Sequence, residues 1–89
     1  MTDIAIDLAG VTDRAGLMDR FAEGLRLPDW FGRNWDALAD VLRDPGFWPA
    51  GTERIVIQEW RPYATARPDE WEIALEIFEG TDLPVLLAL

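Results

Sequence analysis

The sequence predicts an α/β fold, a small three-stranded parallel sheet packed with helices in the order β-α-α-β-α-α-β. Three observations carry that expectation. Short runs with strand-like apolar patterning occur near both ends and in the middle of the chain. The stretches between them repeat apolar residues at helical spacing, and strands separated by helices form parallel sheets with right-handed crossovers. Finally, 89 residues with a hydrophobic fraction of 49% allow one domain, residues 1–89, around one modest core. For a mass of 10.1 kDa, surface scaling gives about 5,300 Å² exposed when folded against about 14,600 Å² unfolded.

The first strand is Asp3-Ile4-Ala5-Ile6-Asp7-Leu8, in which Ile4, Ile6 and Leu8 alternate with small or acidic residues until Gly10. Thr12 or Asp13 caps a helix to about Leu25, with Leu17, Met18, Phe21, Ala22 and Leu25 as its apolar stripe. Leu27-Pro28 stops it. Asn34 caps a second helix through about Leu42, where Trp35, Leu38, Ala39 and Leu42 share the inner face and Asp36, Asp40 and Arg43 point away. Asp44 to Thr52 reads as a loop anchored by Phe47 and Trp48. Arg54 to Trp60 contains Ile55-Val56-Ile57, β-branched throughout, as suits a strand covered on both faces. A short helix near Tyr63 to Arg67 precedes one opened by Pro68 and closed by Gly80, with Trp71, Ala74, Leu75 and Phe78 in its stripe. The apolar run Leu83 to Leu89 completes the sheet as a buried strand. No internal repeat or low-complexity tract interrupts this order.

Composition narrows function. Eight Arg, no Lys and seventeen acids give a net charge of −9, which the phosphate backbone of a nucleic acid would repel and a basic protein would attract. The chain has no His, Cys, Ser or Lys, so Ser-His and Cys-His pairs, Schiff bases and histidine zinc sites are absent. Only carboxylates, Thr, Tyr63 and Arg remain for chemistry, which argues against an enzyme and against any cofactor. A carboxylate hydrolase is the enzymatic alternative, although its sugar-binding cleft demands a larger body. No apolar run approaches a membrane span, no leader-like segment opens the chain, and the lack of Cys fits a reducing, cytoplasmic home.

The most informative segment is Leu27-Pro28-Asp29-Trp30-Phe31-Gly32-Arg33-Asn34-Trp35-Asp36-Ala37-Leu38-Ala39-Asp40. Trp30 and Phe31 adjoin in a loop between helices, so one is expected to pack inward and the other outward. Gly32 serves either as a simple turn residue or as a place for positive φ or for close approach by another chain. Asp36 and Asp40 stand one turn apart, where like charges cost about 0.2–0.5 kcal/mol. The dipole of their helix eases Asp36 and does little for Asp40. Two readings fit, an acidic face merely solvated or an acidic face awaiting a cationic partner; as a metal site the pair offers too few ligands. Of the five Trp, Trp35, Trp60 and Trp71 are read as core, and Trp30 and Trp48 as loop aromatics. Glu70, Glu72, Glu76 and Glu79 form a second acidic face, with Glu79 near the first acidic helix.

This segment, together with Glu59-Trp60-Arg61, resembles the signature of the barstar family. The resemblance implies an intracellular inhibitor of a small, basic, secreted, guanyl-specific ribonuclease such as barnase, forming a 1:1 heterodimer in which the inhibitor performs no chemistry. By motif position it implies that Trp30 packs on a catalytic histidine, Gly32 brings backbone close to the enzyme, and Asn34 makes a polar contact. Asp36 would meet an active-site arginine and Asp40 would occupy the phosphate pocket, so that the two carboxylates imitate RNA phosphate. Phe31, Ala39, Arg43, Trp48 and Glu79 are further candidate contacts. The chain departs from the family pattern in three ways: Ala39 stands where a large aromatic is usual, the loop from Arg43 to Glu53 is longer, and the connection from Glu79 to Leu83 is shorter. The alternative is an acidic adaptor that binds another basic protein without blocking an active site.

Overall fold

The computed structural model describes residues 2–29, 31–81 and 84–88, the side chains of Thr2 and Pro45 excepted. Its elements follow the expected order: β1 (Thr2–Asp7), α1 (Arg14–Leu25), α2 (Trp35–Arg43), a 3-10 turn (Pro45–Phe47), β2 (Thr52–Gln58), α3 (Arg61–Ala66), α4 (Pro68–Glu79) and β3 (Val85–Leu87). The strands form one parallel sheet in the order β1-β2-β3. Its accessible surface is 5312 Å², the size expected from mass alone.

Each helix begins where its sequence supplies a start. Asp13 caps α1 by accepting from the Gly16 amide at 2.8 Å, and Asn34 caps α2 by accepting from Ala37 at 2.8 Å. Pro68 opens α4 where its missing N–H costs nothing. The stripes behave accordingly: Leu17, Met18, Phe21 and Leu25 of α1 and Trp71, Ala74 and Phe78 of α4 are buried, and the Phe21 and Phe78 rings stack 5.8 Å apart. On α2 the inner face turns toward Val41, which is buried with Leu38 and Leu42, while Trp35 and Ala39 lie half-buried at its margin.

Two expectations about the sheet are corrected. β2 is covered on one face only: Ile55 and Ile57 are fully buried with Ile6, whereas Val56 is half-buried and its register neighbours Ala5 and Leu86 are exposed. Right-handed crossovers that advance one strand at a time put every helix on the same side, leaving the other side to water. For the same reason β3, an edge strand, is not buried: Val85 and Leu87 are half-buried and Leu86 is 46% exposed. Leu83 and Leu89, included in that expected strand, lie outside the described residues. β3 is nonetheless tied in, since Ile55 donates its amide to Pro84, Ala88 donates to Ile57, and the Trp60 indole donates to the Ala88 carbonyl at 2.8 Å.

Of the tryptophans read as core, only Trp71 is buried. Trp60 is half-exposed, stacked parallel on Trp71 at 5.5 Å with the Arg61 guanidinium over its ring at 4.9 Å. Among the described residues no helix is long and apolar enough to cross a membrane.

Candidate acidic interface on the loop and helix 26–43

The segment between α1 and α2 is pinned at several points. Arg26 ends α1 in the left-handed conformation (φ 54°), and the Leu27 amide returns to the Ala22 carbonyl at 2.9 Å. Phe31 donates its amide to Pro28 at 3.0 Å and buries its ring to 5% exposure. Phe31 therefore belongs to the core, and its ring is the inward member of its pair. Trp30, the other member, lies outside the described residues.

Gly32 is exposed, and of the alternatives open for it the positive φ is not taken; that conformation falls one residue later, on Arg33 at 53°. What singles out Gly32 is space. A Cβ there would meet Asn34 Nδ2 at 3.2 Å and the Ala37 Cβ at 3.4 Å, crowding the capping side chain. Asn34 is committed in both directions, accepting from Ala37 and donating from Nδ2 to the Gly32 carbonyl at 3.3 Å. Arg33 is ion-paired to Asp19 on α1, a contact between residues 14 apart that no sequence periodicity marks.

From this capped start α2 presents its acids. Asp36, in the first turn, and Asp40, one turn later, are both exposed, and neither carboxylate has a hydrogen-bond or ion-pair partner among the described residues. The expectation that both point outward holds. Ala39 lies half-buried beside Asp40 and adds little bulk. Farther along, Arg43 closes the helix with a favourable charge at its negative end, and its guanidinium lies 3.8 Å from where a Cβ on Gly80 would sit. The Thr81 hydroxyl donates to the Leu42 carbonyl at 2.5 Å. The carboxyl ends of α2 and α4 thus meet, which brings Glu79, exposed at the end of α4, to the same side as Arg43. Trp48 reaches under this end, half-buried, its indole donating to the Val41 carbonyl at 3.0 Å. It anchors the loop first and offers only its remaining edge to a partner.

The larger depression described, about 380 Å³, is lined by Gln58, Glu59, Arg61 and Ala88 and contains neither Asp36 nor Asp40. Among the described residues no cluster of three or more metal-ligating side chains occurs. The pairing of Tyr63 with Glu70 is not legible in the sequence: the buried phenol donates to the Glu70 carboxylate at 3.0 Å, so Glu70 belongs to a structural pair and not to the solvated acidic face. Burial first, then this hydrogen bond and the nearby negative charge, push the Tyr63 hydroxyl well above the ordinary tyrosine range.

The arrangement can present two negative charges, unpaired among the described residues and one helical turn apart, to a cationic surface. Neither of the two depressions described is lined by Asp36 or Asp40. None of the curated proteins matches the chain. Residues 1–83 match the family described as Barstar (barnase inhibitor), and with the parallel β-α-α-β-α-α-β fold and the capped acidic helix in place, this chain belongs to the barstar family.

Proposed function

We propose that the chain is a stoichiometric, non-enzymatic inhibitor of a small, basic, guanyl-specific ribonuclease, acting from the cytoplasm as a single domain, residues 1–89, in a 1:1 complex. The observation that carries the reading is the pair Asp36 and Asp40, exposed and without partners among the described residues, on a helix whose start is fixed by the Asn34 cap. A catalytic cleft that binds RNA must neutralise phosphates, so it offers cations spaced to receive such carboxylates. Entering it, Asp40 takes the phosphate position and Asp36 meets an adjoining arginine. The Gly32 backbone, Asn34 and Trp30 complete the contact at the amino end of α2, and Ala39, Arg43, Trp48 and Glu79 line its rim. Ala39 gives up contact area where a large aromatic is usual, so the acids carry a larger share of affinity.

The test is paired, an inhibition constant against barnase and a melting temperature on the same Asp40→Ala protein. Removing a carboxylate that is desolvated among cations leaves those cations unpaired, a loss of about 3–5 kcal/mol or at least a hundredfold in inhibition. An exposed residue with no partner among the described residues should leave melting unchanged. Inhibition within tenfold of the unmodified protein would remove Asp40 from the contact, and binding that leaves RNA cleavage intact would make the chain an adaptor.

A further inference from the structure

Arg33 is the only cation between Leu27 and Leu42. It stands three residues before Asp36, it adopts a left-handed conformation (φ 53°) that non-glycine residues seldom take, and its guanidinium is paired with Asp19 on the outer face of α1. Directly after it, Asn34 returns to extended backbone (φ −134°, ψ 172°) and caps α2. Asp19 is thus linked to the first turn of α2 through an ion pair, one unusual backbone conformation and a cap.

We infer that Asp19 is a positioning residue for the inhibitory surface: by holding Arg33 it fixes the turn that aims Asn34 and Asp36, and it cancels a positive charge that would otherwise face a basic partner. This deepens the proposed function and rests on it for the second role alone. The pair specifies the conformation from outside the contact, since Asp19 lies on a different helix from the acids. A partner selected by this surface need not supply an acid opposite Arg33, because Asp19 already does so.

A double-mutant cycle tests this, with Asp19→Asn, Arg33→Gly and the double variant. Glycine takes the left-handed conformation freely and removes the cation, so it uncouples the turn from Asp19. The first readout is amide exchange at Ala37, whose N–H is held by the cap, relative to Ile55 and Ile57 in the sheet. Asp19→Asn should speed Ala37 exchange about fivefold without affecting the sheet, the size expected for a well-held exposed pair. In the Arg33→Gly background the same change should have no effect. The second readout is the inhibition constant for barnase, which Asp19→Asn should weaken about fivefold in the original background and leave unchanged in the glycine one. Additive effects in the exchange cycle, or unchanged Ala37 exchange in Asp19→Asn, would overturn the positioning role. Exchange requires no partner, so if the unmodified chain fails to inhibit barnase, the inhibitor reading falls while the cycle still decides the role of Asp19.

Discussion

Alkaline pH offers a test of the core that this composition makes unusually clean. With one Tyr, no Cys and no Lys, Tyr63 is the only side chain whose ordinary pKa, about 10, lies between those of the carboxylates and arginine. In the folded state its proton is retained to higher pH, because the phenol is buried and donates to Glu70 at 3.0 Å. The unfolded chain releases the proton above about pH 10 while the folded chain keeps it, so stability is fully present below that pH and falls as pH rises toward the raised folded value. The slope is about 1.4 kcal/mol per pH unit, which removes about 2–3 kcal/mol by pH 12. Tyr63→Phe keeps the ring but loses the hydrogen bond, and water can reach Glu70, whose side chain is 29% exposed. Its cost near neutrality is therefore about 0.5–1.5 kcal/mol. The variant lacks the alkaline loss, so the two stability curves should cross at about pH 11, where the phenol's pH-dependent loss equals the hydrogen bond's worth. Urea denaturation of both proteins from neutral to about pH 12 measures the crossing. Curves that fall in parallel, or a tyrosinate absorbance that rises at the ordinary pKa while the protein is still folded, would refute the assignment.

Other perturbations act on the site and the sheet. Asn34→Ala should cost about 1 kcal/mol in denaturant stability by releasing the Ala37 amide, and an unchanged midpoint would show that the cap carries no energy. Association with the ribonuclease should slow steeply as salt rises from low to physiological strength, with affinity falling less than on-rate; stopped-flow rates indifferent to salt would exclude steering by the −9 charge. Truncation after Asp82 removes the Pro84 and Ala88 bonds to β2 and the acceptor of the Trp60 indole. It should abolish cooperative thermal unfolding, and a retained sharp transition would show β3 to be dispensable.

Local chemistry on neighbouring residues made much of this protein readable from its sequence. Asn34, Pro68 and Gly80 are punctuation whose effect is confined to one helical turn, and each marks a real helix end. The 3.6-residue spacing of Leu17, Phe21 and Leu25 likewise determines which face of α1 is buried before anything packs on it. The same periodicity puts Asp36 and Asp40 outward together, so the acidic pair was legible with the helix. Tertiary structure decided the rest, because it depends on what crosses the chain. Strand order and the side of the sheet that the helices take leave Val56 and Leu86 partly uncovered, although their apolar character alone reads as burial. Arg33 received the left-handed turn beside a glycine better suited to it, where a carboxylate from α1 lies within reach of its side chain. Glu70 looks like any surface acid until α3 sets a buried phenol against it. Periodicity reports the environment a side chain prefers, and partners distant in sequence decide which environment it receives.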